Sequence, residues 1–330
     1  MSIAVAATMA IQASPEVEIP PAEKPTMYFI GMTTAKSSIM KVFPRWADHL
    51  RLGEVCMQGI DCKWHDSPET YRRVVRHIKQ DPLSLGALVT THKMDLLKAC
   101  RDLFEELDPF ASLMNEVSSI SKRSGRLIGH AKDPITSFLS LKAFLPAHHW
   151  EDTGAELLVL GAGGSSIALT SALMDRKLGA DRPSRIVVTN RSEGRLQEAH
   201  EVHEKLGRPI ATQYHHTPDP ADSDPLVSSL KPHSLVVNAT GLGKDAPGSP
   251  ITNAAEFPMN GYAWDFNYRG ELVFLDQARA QQKQRNLVIE DGWVYFLHGW
   301  TRVIAEVFNV EIPTSGPAFE ALSRIAKEAR

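Results

Sequence analysis

The stretch LLVLGAGGSSIALTSALM, residues 157–174, constrains the fold most strongly. An aliphatic run leads into a cluster of glycines, and the chain then continues with helical spacing. Gly161 would end a buried strand, Gly163 would let the backbone approach a ligand, and the helix would begin with free amides and its positive dipole end. This arrangement favours a pyrophosphate and predicts a dinucleotide site. A tight turn without a ligand is the alternative, because Ser166 stands where the fingerprint prefers glycine or alanine.

The next strand candidate, RIVVTN, ends in the segment TNRSEGR. An NAD site usually has an acidic residue there that accepts from the ribose hydroxyls, whereas this strand ends at Asn190 and Arg191, followed by Ser192. The planar donor fork of arginine suits phosphate oxygens, so Arg191 favours NADP over NAD. We expect Glu193, further along, to face solvent. A solvated surface arginine is the alternative for Arg191.

Strand and helix signals alternate along the chain, which predicts α/β domains with parallel sheets covered on both faces. At 330 residues the chain exceeds what one hydrophobic core usually supports, so we expect two domains with the active cleft between them. A hinge is placed at Asp133 and Pro134, which fit a helix N-cap and first helical position. The predicted segments are a disordered tail (1–25), a substrate domain (26–133), a Rossmann domain (134–290) and C-terminal helices that pack back across the hinge (291–330).

The composition argues against several classes of function. A formal net charge of −3 gives no general attraction to nucleic acid or to an anionic membrane surface. No apolar run approaches the about 20 residues that span a bilayer. The three cysteines form neither a paired framework nor a C-x-x-C motif, which favours a cytoplasmic location, and we expect no metal site. The sequence is compatible with a homodimer.

The motifs and their order resemble the shikimate/quinate dehydrogenase family from about residue 27 to the C-terminal region. GAGGSS and TNRSEGR are similar to that family's Gly-rich turn and its N-R-[ST] NADP clamp. VVNATGLG resembles its N-A-T-x-x-G strand end near the nicotinamide, WDFNY its D-x-x-Y/N-x strand, and EDGWVYFLHG its D-G-x-x-x-L-x-x-Q-G segment. The resemblance implies an NADP site formed by Gly161, Gly163, Gly164, Ser165, Asn190, Arg191, Ser192, Arg195, Asn238 and Thr240.

Two segments of the first half also resemble the family. LVTTHK is similar to N-V-T-x-P-H-K, which implies Lys93 as the catalytic lysine and Thr90 as a substrate contact. GRLIGHAKDP is similar to G-x-L-x-G-x-N-T-D-G, which implies Asp133 as the catalytic aspartate. This pair suits alcohol oxidation at a ring carbon, because a hydride leaves to nicotinamide while the hydroxyl proton needs a positioned base. From position alone, a solvated lysine and a helix-capping aspartate are the alternatives.

The departures from the family pattern concern the substrate. Of the S-x-S pair, which resembles a clamp on the substrate carboxylate, Ser37 remains, and Thr33, Thr34 or Lys36 could compensate for the lost serine. For His298, a partly buried histidine bonded to backbone is the alternative to a substrate contact. The replacements are Ala35 in S-x-S, Leu88 for the asparagine of N-V-T, Ser118 for that of A-V-N-T, Ala131 and Lys132 for N-T, and His298 for the C-terminal glutamine.

These replacements remove hydrogen-bond partners for a polyhydroxylated ring. An unfilled partner for a buried hydroxyl costs about 1–3 kcal/mol, so losing several would remove most affinity for shikimate itself. We predict an NADP-dependent oxidoreductase for a shikimate-, quinate- or dehydroshikimate-like cyclic acid, with an altered substrate contacted by Ser37, Thr90, Ser118 and His298. Two alternatives stay open: a non-enzymatic metabolite sensor that keeps the cofactor, and a two-domain dehydrogenase for amino acids or folates.

Overall fold

Two units make up the part of the chain that the structure, a computed structural model, describes: residues 9–14, 18–244 and 246–329. The first unit runs to Lys132 and resumes at Gly299, and the second is Asp133–His298. The first unit is therefore built from two separate segments of the chain. None of the helices that the structure describes is both long and apolar enough to cross a membrane.

The first unit is organised around a single sheet. Its described strands are β1 (Ile11–Gln12), β2 (Thr26–Gly31), β3 (Cys56–Asp61), β4 (Ser84–Val89), β5 (Glu106–Leu107), β6 (Ser119–Arg123) and β7 (Arg126–His130), in the spatial order β1-β3-β2-β4-β6-β7-β5. Its helices are α1 (Ile39–His49), α2 (Pro68–Gln80), α3 (Lys93–Cys100), α4 (Pro109–Met114), the second part of α11 (Trp293–Phe308) and α12 (Gly316–Glu328).

This sheet is mixed, where we predicted a parallel one. β2 pairs in parallel with β3 and β4, but β6 runs antiparallel to both β4 and β7. Ser124 and Gly125, both with positive φ, form the turn that joins β6 to β7. The hairpin was missed because its buried positions carry Ser119 and Ser121 as well as aliphatic residues, so the strand pattern is weak.

The prediction of a disordered N-terminal tail is wrong over the residues that the structure describes. β1 pairs in parallel with β3 at the edge of the sheet. Ala13 is buried, and the side-chain amide of Gln12 donates to Asp61 Oδ2 over 3.1 Å. A few apolar residues thus anchor a segment whose proline and glutamate content suggested a mobile chain. Residues 1–8 and 15–17 lie outside the described part.

The second unit is a doubly wound parallel sheet. Its described strands are β8 (Leu157–Leu160), β9 (Ile186–Asn190), β10 (Thr212–His216), β11 (Leu235–Asn238), β12 (Tyr262–Asp265) and β13 (Val288–Glu290). They pair in parallel in the order β10-β9-β8-β11-β12-β13. The order reverses between β8 and β11, which is where Rossmann sheets bind ligands outside the strand ends. The helices are α5 (Asp133–Phe144), α6 (His149–Thr153), α7 (Gly164–Met174), α8 (Glu193–Lys205), α9 (Pro220–Ser228), α10 (Val273–Arg285) and the first part of α11.

Helix α7 lies at the centre of this unit. Residues 166–174 are all buried, and α5 packs against α7. Ser166 is buried as well, so its small side chain keeps the helix close to the sheet, which is the packing role of the third glycine in the dinucleotide fingerprint. The start of α7 is therefore held firmly at the carboxyl end of β8.

Candidate active site

The glycine turn between β8 and α7 is crowded on one side and open on the other. Gly161 has a φ of +105°, and a Cβ there would come within 2.9 Å of the carbonyl oxygen of Ala239. Gly163 is the N-cap of α7, and a Cβ there would meet no described atom within 4 Å. The first amides of the helix, which include those of Gly164 and Ser165, lie at this opening with the positive end of the helix dipole. The turn has room for an anion.

Asn190 connects this turn to the end of β9. Its Oδ1 accepts from the backbone amide of Ala162 over 3.2 Å, and its Nδ2 donates to the carbonyl of Ser192 over 3.1 Å. Because β8 and β9 are parallel neighbours, their carboxyl ends meet at the same edge of the sheet. One side chain thus fixes the relative position of both segments that the sequence assigns to the cofactor.

Two arginines stand at the surface beyond Asn190. Arg191 is exposed, and Arg195, on the first turn of α8, pairs with Glu198 over 2.6 Å. Ser192 is the N-cap of α8. The side chain of Glu193 is 81% exposed, in agreement with the expectation that it faces solvent. The edge of the sheet next to the glycine turn therefore offers guanidinium groups to a phosphate.

The end of β11 is organised by a buried network. Asn238 is buried; its Nδ2 donates to Asp265 Oδ2 over 2.9 Å, and its Oδ1 accepts from the amide and hydroxyl of Thr240 over 3.1 and 2.7 Å. Burial raises the pKa of Asp265 to about 6. Asn238 thus uses its amide inside the protein to shape the turn, whereas Thr240 is exposed.

Lys93 opens α3 after a short turn from β4. The segment LVTTHK has one residue fewer than N-V-T-x-P-H-K, and Thr91, with a φ of +66°, adopts the left-handed conformation in this turn. The amide of His92 donates to the carbonyl of Thr90 over 2.6 Å, and the His92 ring is buried against Tyr71. Burial lowers the pKa of His92. The side chain of Lys93 is 21% exposed, so it is reachable from solvent but largely enclosed.

A carboxylate that the motifs did not point to lies beside Lys93. Glu116 Oε1 is 4.0 Å from Lys93 Nζ, and the glutamate is buried. The amide of Val117 donates to the carbonyl of Lys93 over 3.2 Å, so the backbone holds the two residues together. The sequence does contain a signal for this carboxylate. In NEVSSI, Glu116 stands at the position that alanine has in A-V-N-T.

Ser118 and Lys132 are engaged inside the first unit. The hydroxyl of Ser118 accepts from the amide of Lys132 over 2.8 Å and donates to the carbonyl of His130 over 3.5 Å. The ammonium of Lys132 lies 2.7 Å from Glu306 Oε2. Both side chains therefore stabilise the chain after β7, and the predicted contact of Ser118 with a substrate stays a prediction.

The loop that carries Ser37 is anchored by Asp61. Thr34 is buried, and its amide and hydroxyl both donate to Asp61 Oδ1, over 2.8 and 2.6 Å. Thr34 is thus committed to the protein and does not replace the missing serine. Thr33 and Lys36 are exposed on the same loop, and Ser37 is half-buried.

Asp133 and His298 lie at the two boundaries of the second unit. Asp133 is the first residue of α5 and is half-buried, and His298 is buried on α11. Lys93 belongs to the first unit. Its partnership with Asp133 stays a prediction, as do the roles of Thr90 and His298 toward a substrate.

Curated proteins with similar sequences are shikimate dehydrogenases, although no family model matches the chain. The chain is 27% identical over 227 residues to the shikimate dehydrogenase (NADP(+)) of Lactococcus lactis subsp. cremoris, which covers 68% of this chain and 74% of that protein. It is 33% identical over 178 residues to the enzyme of the same name from Streptococcus thermophilus, and there the match covers 53% of this chain and 58% of that protein.

Solved structures show the same fold over almost the whole chain. The shikimate 5-dehydrogenase of Thermus thermophilus, solved with NADP(H) and shikimate, superposes with a TM-score of 0.67 at 22% identity, covering 92% of this chain and 99% of that one. The quinate dehydrogenase of Corynebacterium glutamicum, solved with NAD, gives a TM-score of 0.71 at 16% identity over the same shares. These likenesses show that the α/β fold with a Rossmann-type unit is shared.

Proposed function

Because the chain belongs to the shikimate/quinate dehydrogenase family, we propose that it is an NADP-dependent oxidoreductase that converts a ring hydroxyl of a shikimate-like cyclic acid to a ketone, reversibly. One observation carries the proposal. The glycine turn that is open at Gly163 lies next to the exposed Arg191, at the switch point of a doubly wound parallel sheet. This strand order suits a dinucleotide that carries an additional phosphate, because the N-terminus of the helix after β8 can bind the pyrophosphate and the neighbouring arginine can bind the additional phosphate.

The second unit fits NADP in two places. The pyrophosphate would lie against the first turn of α7, where Gly163 leaves space and the helix amides donate. Arg191, with Ser192 and Arg195, would hold the 2′-phosphate, because guanidinium groups bind phosphate oxygens through paired hydrogen bonds. The names of the curated relatives, which specify NADP(+), support this choice over NAD. When bound, NADP supplies the acceptor for the hydride that leaves the ring carbon.

Lys93 would handle the proton of the reaction. In the oxidation direction the C–H bond of the ring carbon breaks with its electron pair, the O–H bond gives its proton to the neutral amine of Lys93, and a C=O bond forms. The amine becomes an ammonium and later releases the proton to water. Asp133 would orient the lysine and accept from a second hydroxyl of the ring. In reduction the same lysine donates the proton back.

The engaged side chains support an altered substrate. Thr34 and Ser118 bond inside the first unit, and Lys132 pairs with Glu306, so these positions offer less to a polyhydroxylated ring. Lys36 is exposed on the loop that also carries Ser37, and a cation there suits a substrate carboxylate. A ring acid with fewer or differently placed hydroxyls than shikimate fits this set of groups best.

Cofactor titration followed by a substrate screen tests the proposal. Purified protein is titrated with NADPH and NADP, and turnover is then followed by NADPH absorbance with shikimate, quinate, dehydroshikimate and less hydroxylated cyclohexene carboxylates. We expect NADPH binding and turnover of at least one ring acid. Tight binding without turnover of any compound would contradict the enzyme and favour the metabolite sensor. No binding would mean that the glycines form only a turn.

A further inference from the structure

We infer that Glu116 is a positioning residue for Lys93. Its buried carboxylate holds the ammonium form of the lysine at the start of α3 and so sets the pH range over which Lys93 exchanges a proton. This inference rests on the proposed function, in which Lys93 takes the substrate proton. It assigns a role to a residue at a place where the A-V-N-T motif of the family has alanine.

The backbone fixes the position of Glu116. Helix α4 ends at Met114, and Asn115, with a φ of 51°, turns the chain in the left-handed conformation. The following residues are hydrogen-bonded on two sides: the amide of Val117 donates to the carbonyl of Lys93 over 3.2 Å, and the carbonyl of Ser118 accepts from Val89 over 2.9 Å. Residues 116–118 therefore lie against both the end of β4 and the start of α3. The closeness of the two charged side chains follows from the path of the chain.

Burial strengthens the attraction between these two charges. Glu116 is only 3% exposed, and the side chain of Lys93 is 21% exposed, so water and salt screen their attraction over 4.0 Å poorly. A buried carboxylate is costly unless a positive charge or hydrogen bonds compensate for it. The protonated lysine supplies that charge. The neutral form of the lysine loses its attraction to this carboxylate, so the pair favours the ammonium.

Asp95 and His92, the titratable neighbours of Lys93 along the chain at the start of α3, do not duplicate the role of Glu116. Asp95, on the same helix, pairs with His65 over 2.8 Å in a partly exposed position. His92 precedes Lys93, and burial lowers the pKa of its ring, so it adds no positive charge near neutral pH. Asp133 is the second carboxylate that we propose for Lys93. Glu116 is thus a buried carboxylate that the first unit itself places beside the lysine.

Substitution of Glu116 tests the role in turnover. The variants are Glu116→Gln, which removes the charge and keeps the shape, Glu116→Asp, which keeps the charge, and Glu116→Ala, which restores the motif residue. In the oxidation direction, the pH of half-maximal turnover should fall by about one unit or more in the Gln and Ala variants and by less in Asp. The Kd for NADPH should not change. Glu106→Gln, an exposed change on β5, is the matched control and should leave both quantities as in the wild type.

A second readout needs no substrate. Lysines are reductively methylated with ¹³C-formaldehyde, the signal of Lys93 is assigned with Lys93→Arg, and its titration is followed by NMR. We expect the midpoint of that titration to fall in folded Glu116→Gln and, if that variant does not fold, in Glu116→Ala. A midpoint equal to that of the wild type overturns the inference. If the midpoint is lowered in the variant but the wild type turns over no ring acid, the pairing of Glu116 with Lys93 is supported and the proposed function is rejected.

Discussion

Arg191 is the residue on which we expect the preference for NADP over NAD to depend. It is exposed beside the glycine turn, and its guanidinium would meet the 2′-phosphate that NADP has and NAD lacks. Arg191→Ala should therefore reduce the preference for NADP over NAD by at least about tenfold, the scale of one lost phosphate pair. The measurement is the ratio of the two Kd values by fluorescence titration. Arg279→Ala, on the exposed face of α10, is the control, and an unchanged ratio in Arg191→Ala would mean that the clamp has been misassigned.

Individual side chains are also where the sequence was least informative. The order of the motifs pointed to Lys93 and Asn190, but not to which polar atoms remain available. The hydroxyl of Ser118 is bound by the chain after β7, and Thr34 is bound by an aspartate on β3. Such partners come from distant segments, so no local pattern reveals them. The acidic residue at position 116 is visible in the sequence, but its closeness to Lys93 is not, because a backbone hydrogen bond between the start of α3 and the segment after α4 brings the two residues together.

At the scale of elements, the turn between β8 and α7 separates a structural glycine from a ligand-facing one. Gly161→Ala places a side chain at a φ of +105° and against the carbonyl of Ala239, so it should lower the free energy of unfolding by about 1–3 kcal/mol. Gly163→Ala meets no described atom within 4 Å, so it should fold like the wild type yet weaken NADPH binding at least about tenfold. Denaturant unfolding and NADPH titration of both variants measure this. Wild-type affinity in Gly163→Ala would contradict a phosphate site at this turn.

His203, on α8, is hydrogen-bonded to both α7 and β10. It makes the stability of the second unit sensitive to acid. Its Nε2 lies 2.7 Å from Thr170 Oγ1 on α7, its Nδ1 lies 2.6 Å from the hydroxyl of Tyr214 on β10, and burial lowers its pKa to about 4. The unfolded chain binds a proton near its ordinary pKa of about 6.5, so this contribution is present above that pH and is lost as the pH falls toward 4.

The wild type should therefore lose up to about 3 kcal/mol of unfolding free energy from this group between those pH values, and His203→Gln should not show this part of the loss. Denaturant unfolding at a series of pH values gives the difference between the two proteins. His148→Gln, at an exposed position, should behave like the wild type. A difference between the wild type and His203→Gln that stays constant with pH would show that His203 does not titrate in this way.

The hydrophobic pattern of the sequence predicts some strands of the protein well and others poorly. The strands β8, β9 and β11 of the second unit are buried on both faces, so LLVL, IVV and LVV are uninterrupted aliphatic runs, and these strands were predicted from sequence. β1 and the hairpin of β6 and β7 were not, because they are short or carry buried serines. Burial by neighbouring chain segments, rather than intrinsic strand pattern, decides those elements.

At the scale of the whole molecule, the chain leaves the first unit at Lys132 and returns to it at Gly299. The indole nitrogen of Trp46 on α1 donates to the carbonyl of Leu322 on α12 over 2.9 Å, and Phe29 on β2 packs edge-on against Trp300 on α11. The C-terminal helices thus complete the core of the first unit. The sequence suggested that they return to that domain, but the boundary within α11 has no local signal, because the helix continues across it.

This organisation divides the proposed reaction between the units, with proton handling assigned to Lys93 in the first and cofactor binding to the second. The most direct test is Lys93→Ala beside Lys98→Ala, an exposed position on the same helix. Turnover of the ring acid by Lys93→Ala should fall about 10²–10⁴-fold while its Kd for NADPH stays at the wild-type value, and Lys98→Ala should match the wild type in both. Turnover retained in Lys93→Ala would contradict the assignment of proton transfer to Lys93.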